Sequence, residues 1–90
     1  MDEKKRRKIE QIILKEFKEQ DFDVELSTRL GTDILIDSID LTEISIHINE
    51  KMEREFPNPE INWLWPDLNE LKKDSTIADM VEYYVQMAEK

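Results

Sequence analysis

Apolar residues recur near the start of the chain at Ile9, Ile12, Ile13 and Phe17, the three- and four-residue steps of one helical face. The spacing predicts an amphipathic helix over roughly 3–19. A second stripe runs through Leu41, Ile44, Ile48, Met52 and Phe56. It predicts a helix from Ser38 to about Phe56, which Pro57 and Pro59 then stop. The ending "STIADMVEYYVQMAEK" opens on a Ser or Thr cap and presents Ile77, Val81, Tyr84 or Val85, and Ala88 on one face, so a last helix is expected there. Between these, "PNPEINWLWPDLNELKKDS" holds three prolines and two tryptophans and has no sustained period. Pro66 suits a first helical turn, which predicts a short helix from about Pro66 to Lys72. No alternating strand pattern competes. The expected fold is all-α, a three-to-four-helix bundle formed as one domain over residues 1–90.

The connection over 20–37 is long but not polar throughout. Phe22, Val24, Leu26, Leu30, Ile34, Leu35 and Ile36 punctuate it, so it must fold back over a core. Gly31, the only glycine, is expected to give it one free bend. With 39% hydrophobic residues and seven aromatics, ninety residues can hold a single core. No apolar run approaches bilayer-spanning length, and the N-terminus has no apolar stretch of signal-peptide type. A cytoplasmic protein without membrane insertion, monomeric on its own, is expected. The absence of cysteine removes disulfides, thiol catalysis and thiolate metal sites together.

Charge changes this picture. The chain carries a formal −9, which disfavours nucleic acid and anionic membranes and favours basic protein partners. Residues 1–20 hold seven basic and five acidic residues. Residues 33–60 hold eight acids against Lys51 and Arg54. The basic run "KKRRK" at 4–8 reads as the solvated first turns of its helix rather than a nucleic-acid signal. Asp40, Glu43, Glu50 and Glu53 fall on or near one helical face, with Ile39 and Ile46 off the core stripe beside them. That face is either plain solvated surface or a docking surface for basic patches on partners. Ile39 has the alternative of tucking under the first loop.

The candidate chemistry centres on "DSID" at 37–40. Asp37 is a good N-cap, and Asp40 three residues on resembles a capping box with Asp in place of Glu. The same geometry would set the Ser38 hydroxyl, expected to be exposed, in the first turn of a helix. There amide donors and the helix dipole favour an anion such as a phosphodiester, while Asp37 and Asp40 oppose it somewhat. Both readings stay open on the residues alone. Trp63 and Trp65 either wall a cargo pocket or plug the core. His47, the only histidine, is expected at the surface, since no serine stands placed for a catalytic triad. Asp33, Asp37 and Asp40 lack calcium-loop spacing, so no structural metal is expected.

The stretch "IDSIDLTEISIHINEKMEREF" resembles the acyl carrier protein family, whose motif is Asp-Ser-Leu followed by Asp and an acidic amphipathic helix. The matching residues are Asp37, Ser38, Ile39, Asp40, Glu43 and Ile44. The opening helix "KIEQIILKEF" and the ending "STIADMVEYYV" are of the same type, so the likeness covers nearly all the chain outside 57–74. The resemblance implies an acyl-carrier bundle with a short third helix. It implies a non-catalytic carrier with 4'-phosphopantetheine, taken from coenzyme A by a phosphopantetheinyl transferase, on Ser38 beside Asp37. It further implies docking of acyl-transferring or synthase enzymes on Ile39, Asp40, Glu43, Ile46, Glu50 and Glu53. Three departures stand out. Leu35 occupies the family's usual glycine position, so "LIDS" looks more like carriers of amino acids or peptides. The family's terminal phenylalanine aligns with Met52, leaving Phe56 a turn beyond. The tail "INWLWPDLNELKK" exceeds the usual third-helix region. They point to a specialised pathway.

Overall fold

A computed structural model of the chain describes residues 3–34, 36–61, 63 and 75–89, with Ser38 described through its backbone. Three helices are present: α1 over Glu3–Glu19, α2 over Ser38–Glu55 and α3 over Ile77–Glu89. The expected short helix at 66–72, Leu35 and Trp65 lie outside the described residues. All regular structure among the described residues is helical, apart from one isolated antiparallel bridge between Arg29 and Thr76.

The apolar stripes become the core. Ile9, Ile13 and Phe17 of α1, Leu41, Ile44, Ile48 and Met52 of α2, and Ile77, Met80, Val81, Tyr84 and Val85 of α3 are all buried. Burying each such side chain stabilises the fold by about 1.5–3 kcal/mol before chain entropy is counted. α1 packs against both α2 and α3. Lys8 meets Glu55, while Glu16 meets His47 and Lys51, so α1 and α2 run antiparallel. Arg6 pairs with Glu82 on the α3 side. Tyr84 on α3 donates its hydroxyl to Asn49 Oδ1 on α2 at 2.8 Å.

The α1 end is a Schellman motif. Phe22 N–H donates to Phe17 O at 2.9 Å and Asp21 N–H to Lys18 O at 3.0 Å. Asp21 takes the left-handed conformation, φ 67°, and the Phe17 and Phe22 rings meet edge-on. Gly31 lies in the turn over 30–33, as expected of a bend, but without positive φ; the left-handed residue is Asp21. A glycine is not required there because a short polar side chain tolerates this region better than most.

The long first connection folds back as its apolar residues demand. Val24 and Leu30 are buried, and Phe22, Ile34 and Ile36 pack on the core. Its backbone also caps α3. Leu26 O and Thr28 O accept from Ala78 N–H and Ile77 N–H at 3.0 Å each, satisfying donors that a helix start leaves open. Thr76 and Asp79 complete a capping box, Thr76 N–H to Asp79 Oδ2 at 2.9 Å and Asp79 N–H to Thr76 Oγ1 at 3.3 Å.

Candidate functional site

The start of α2 is held from both sides. Asp37 is its N-cap, extended at φ −93° and ψ 174°, and its Oδ1 accepts from Asp40 N–H at 2.8 Å. Asp37 O accepts from Leu41 N–H at 3.0 Å, closing the first turn. Ile36 and Leu41 occupy the two positions of a hydrophobic staple, and both pack into the core. Ser38 is the first helical residue after this anchored cap and the only hydroxyl-bearing residue in the 37–41 turn. The exposure expected of its hydroxyl lies outside the described residues.

Asp37 does two things at once. Its carboxylate uses one amide donor of the first turn, and it brings a negative charge next to Ser38. An anion on Ser38 would share the helix N-terminus with that charge rather than have it alone.

From this point an exposed stripe runs down α2. Ile39, Glu43, Ile46, Glu50 and Glu53 follow at steps of four and three, which keeps them on one face. Ile39 is 73% exposed and Ile46 51%, so Ile39 does not tuck under the first loop. Glu43, Glu50 and Glu53 are exposed. None of the three has a hydrogen-bond or ion-pair partner among the described residues. Asp40 departs from the expected face: it is half-buried beside the cap.

His47 lies at the surface as expected, its side chain 44% exposed, and its Nδ1 is 2.9 Å from Oε1 of the buried Glu16. Glu16 Oε2 stands 2.7 Å from Lys51 Nζ, a charge contact outside good hydrogen-bond angles. Glu19 adds a looser contact to Lys51 at 3.4 Å. The close Glu16 carboxylate raises the Lys51 pKa above its ordinary value, against the opposing effect of burial. Two signals in the sequence pointed to this cluster. Glu16 falls seven residues after Ile9 on the apolar face of α1, and His47 and Lys51 are one turn apart on α2.

Trp63 plugs the core. It is 7% exposed, with ring centroids 6.0 Å from Phe56 and 6.1 Å from Tyr84. It also lines an open groove of about 360 Å³ with Glu53, Pro57 and Ile61. That groove stands at the far end of α2, roughly 27 Å of helix from Ser38. Asp33 serves its own loop, accepting from Arg29 N–H at 2.9 Å through Oδ2. No group of three or more metal-ligating side chains occurs among the described residues. No helix among them is long and apolar enough to cross a membrane.

No protein-family model matches this chain, and no curated protein or solved structure matches it either. The reading of the site therefore rests on the residues themselves.

Proposed function

We propose that this chain is an acyl carrier protein. It carries acyl or aminoacyl groups as thioesters on a 4'-phosphopantetheine arm attached to Ser38, and delivers them to enzymes of fatty-acid, polyketide or related specialised biosynthesis. It works as a shuttle and not as a catalyst. The observation that carries this reading is the junction at Ser38. A serine opens an 18-residue helix after a capped loop, and an exposed Ile–Glu stripe begins at the very next residue.

The residues fit the group in its chemistry and in its setting. An aliphatic hydroxyl is the acceptor a phosphodiester needs, and the first turn of a long helix is its positive end. The Asp37 carboxylate weakens that fit without abolishing it, because Asp37 is exposed and the high dielectric of water keeps repulsion between near charges to about 1 kcal/mol. When bound, the group supplies a thiol, which this cysteine-free chain lacks. The chain's own part is to hold Ser38 at the head of α2 through the Asp37 cap and the packing of Ile36 and Leu41. Glu43, Glu50 and Glu53 steer basic partner surfaces, and Ile39 and Ile46 offer them apolar contact.

A second reading is a helical interaction module without a prosthetic group. It is favoured by the Asp37 Oδ1 to Asp40 N–H bond, since a cap accounts for the DSID pattern by itself. Incubation with coenzyme A and a broad-specificity phosphopantetheinyl transferase, read by intact mass, separates the two. The carrier gains one phosphopantetheine, and the module gains nothing.

A further inference from the structure

A second charged surface lies beside the acidic stripe and has the opposite sign. Lys8, Ile12 and Lys15 of α1 form one wall of an open groove of about 410 Å³, and Lys51, Arg54 and Glu55 of α2 form the other. Lys5 continues the α1 wall at the end near Glu55. Lys5, Lys15 and Arg54 have no hydrogen-bond or ion-pair partner among the described residues. The Lys8–Glu55 pair is exposed at 3.4 Å, a contact of a kind that exchanges partners at little cost.

The two surfaces match in register. The wall reads Lys5, Lys8, Ile12, Lys15, with steps of three, four and three. The acidic stripe, read backwards, is Glu53, Glu50, Ile46, Glu43, again with steps of three, four and three. Laid antiparallel, the two lines pair three lysines with three glutamates and set Ile12 against Ile46. We propose that the groove between α1 and α2 receives the Glu43–Glu53 face of α2 from a second copy of this chain. The contact is heterologous: each copy uses its groove for one neighbour and its stripe for another, so the assembly extends head to tail. It engages the face proposed for partner enzymes, so self-association and partner docking exclude each other there. It does not depend on modification of Ser38.

Salt acts on this contact in two directions. Two copies of net charge −9 repel across a molecular width of about 23 Å, while the Lys–Glu pairs act at contact. Near 0.1 M salt the Debye length of about 10 Å removes most of the long-range repulsion and spares the pairs; near 1 M, at about 3 Å, the pairs weaken too. Association should therefore peak at intermediate salt.

Sedimentation velocity over that salt range tests the proposal. Wild type is expected to exceed monomer mass near about 0.1 M salt and return to monomer near about 1 M. The variants K8Q/K15Q and E43Q/E50Q should each lose association, since each lacks one of the two surfaces. Mixed in equal amounts, they should form a one-to-one complex and nothing larger, because a single competent groove and a single competent stripe remain. Circular dichroism confirms that both variants keep their helices. A wild-type protein that stays monomeric at every salt, a variant that associates like wild type, or a mixture of two helical variants that stays monomeric would each overturn the proposal.

Discussion

The carboxylate of Glu16, buried on α1, stands 2.7 Å from Lys51 Nζ on α2. A charge in the core is tolerated only when it is paired, and here the partner comes from the neighbouring helix. Lys51→Met should destabilise the protein by about 1–3 kcal/mol, below the usual range for a fully buried pair because Lys51 keeps access to solvent. A double-mutant cycle with Glu16→Gln, followed by urea unfolding, should show positive coupling between the two sites. Additive losses would mean that the contact contributes nothing.

Tyr84 predicts how the fold responds to alkali. Burial, and secondarily the neighbouring Tyr83, pushes its phenol pKa well above the ordinary value. The folded state therefore holds this proton more tightly than the unfolded chain, as it does the Lys51 proton. Their contributions are complete below about pH 10, the ordinary tyrosine value, and are lost as pH rises beyond it. Thermal melts should show the melting temperature falling steadily above that pH. Tyr84→Phe should cost about 1–2 kcal/mol at neutral pH, by leaving Asn49 Oδ1 without its donor, and should make the alkaline decline shallower.

Asp21 gives a prediction of the opposite sign. It holds the left-handed position that ends α1, where a side chain has a steric cost. Asp21→Gly should stabilise the protein by about 0.5–1 kcal/mol, read as a higher urea midpoint with an unchanged slope. A lower midpoint would mean that the Asp21 side chain itself supports the turn.

Much of the fold was legible because its helices are amphipathic. Ile44, Ile48 and Met52 recur every fourth residue, and each is fully buried. The cap at Asp37 and the cap at Thr76 follow from short polar side chains ahead of apolar runs. What escaped was tertiary. Nothing local says that Leu26 O and Thr28 O will cap a helix fifty residues away. The contact of His47 with Glu16 was not readable, because a period assigns a residue to a face, whereas a contact depends on which residue of α1 packs opposite. Glu16 was the available warning, a carboxylate on an apolar stripe. At the candidate site, the exposure of Ile39 and Ile46 was readable from their place off the core stripe, while the half-burial of Asp40 was not.

The exposed stripe separates stability from recognition. Ile39→Ala and Ile46→Ala remove side chains that are mostly in solvent, so each should change stability by no more than about 0.5 kcal/mol. In the carrier reading both should slow modification by the transferase, and Glu43→Gln with Glu50→Gln should weaken the dependence of that rate on salt. Variants that unfold the protein, or that leave the rate unchanged, would remove the docking role from this face.

The central claim is chemical and can be read from one spectrum. Wild type and Ser38→Ala are incubated side by side with coenzyme A and a broad-specificity phosphopantetheinyl transferase, then digested and mapped by mass spectrometry. The account predicts one phosphopantetheine on the wild-type peptide that contains Ser38 and none anywhere on the variant, with both proteins equally helical. An unmodified wild type, or a group found on a different residue, contradicts it.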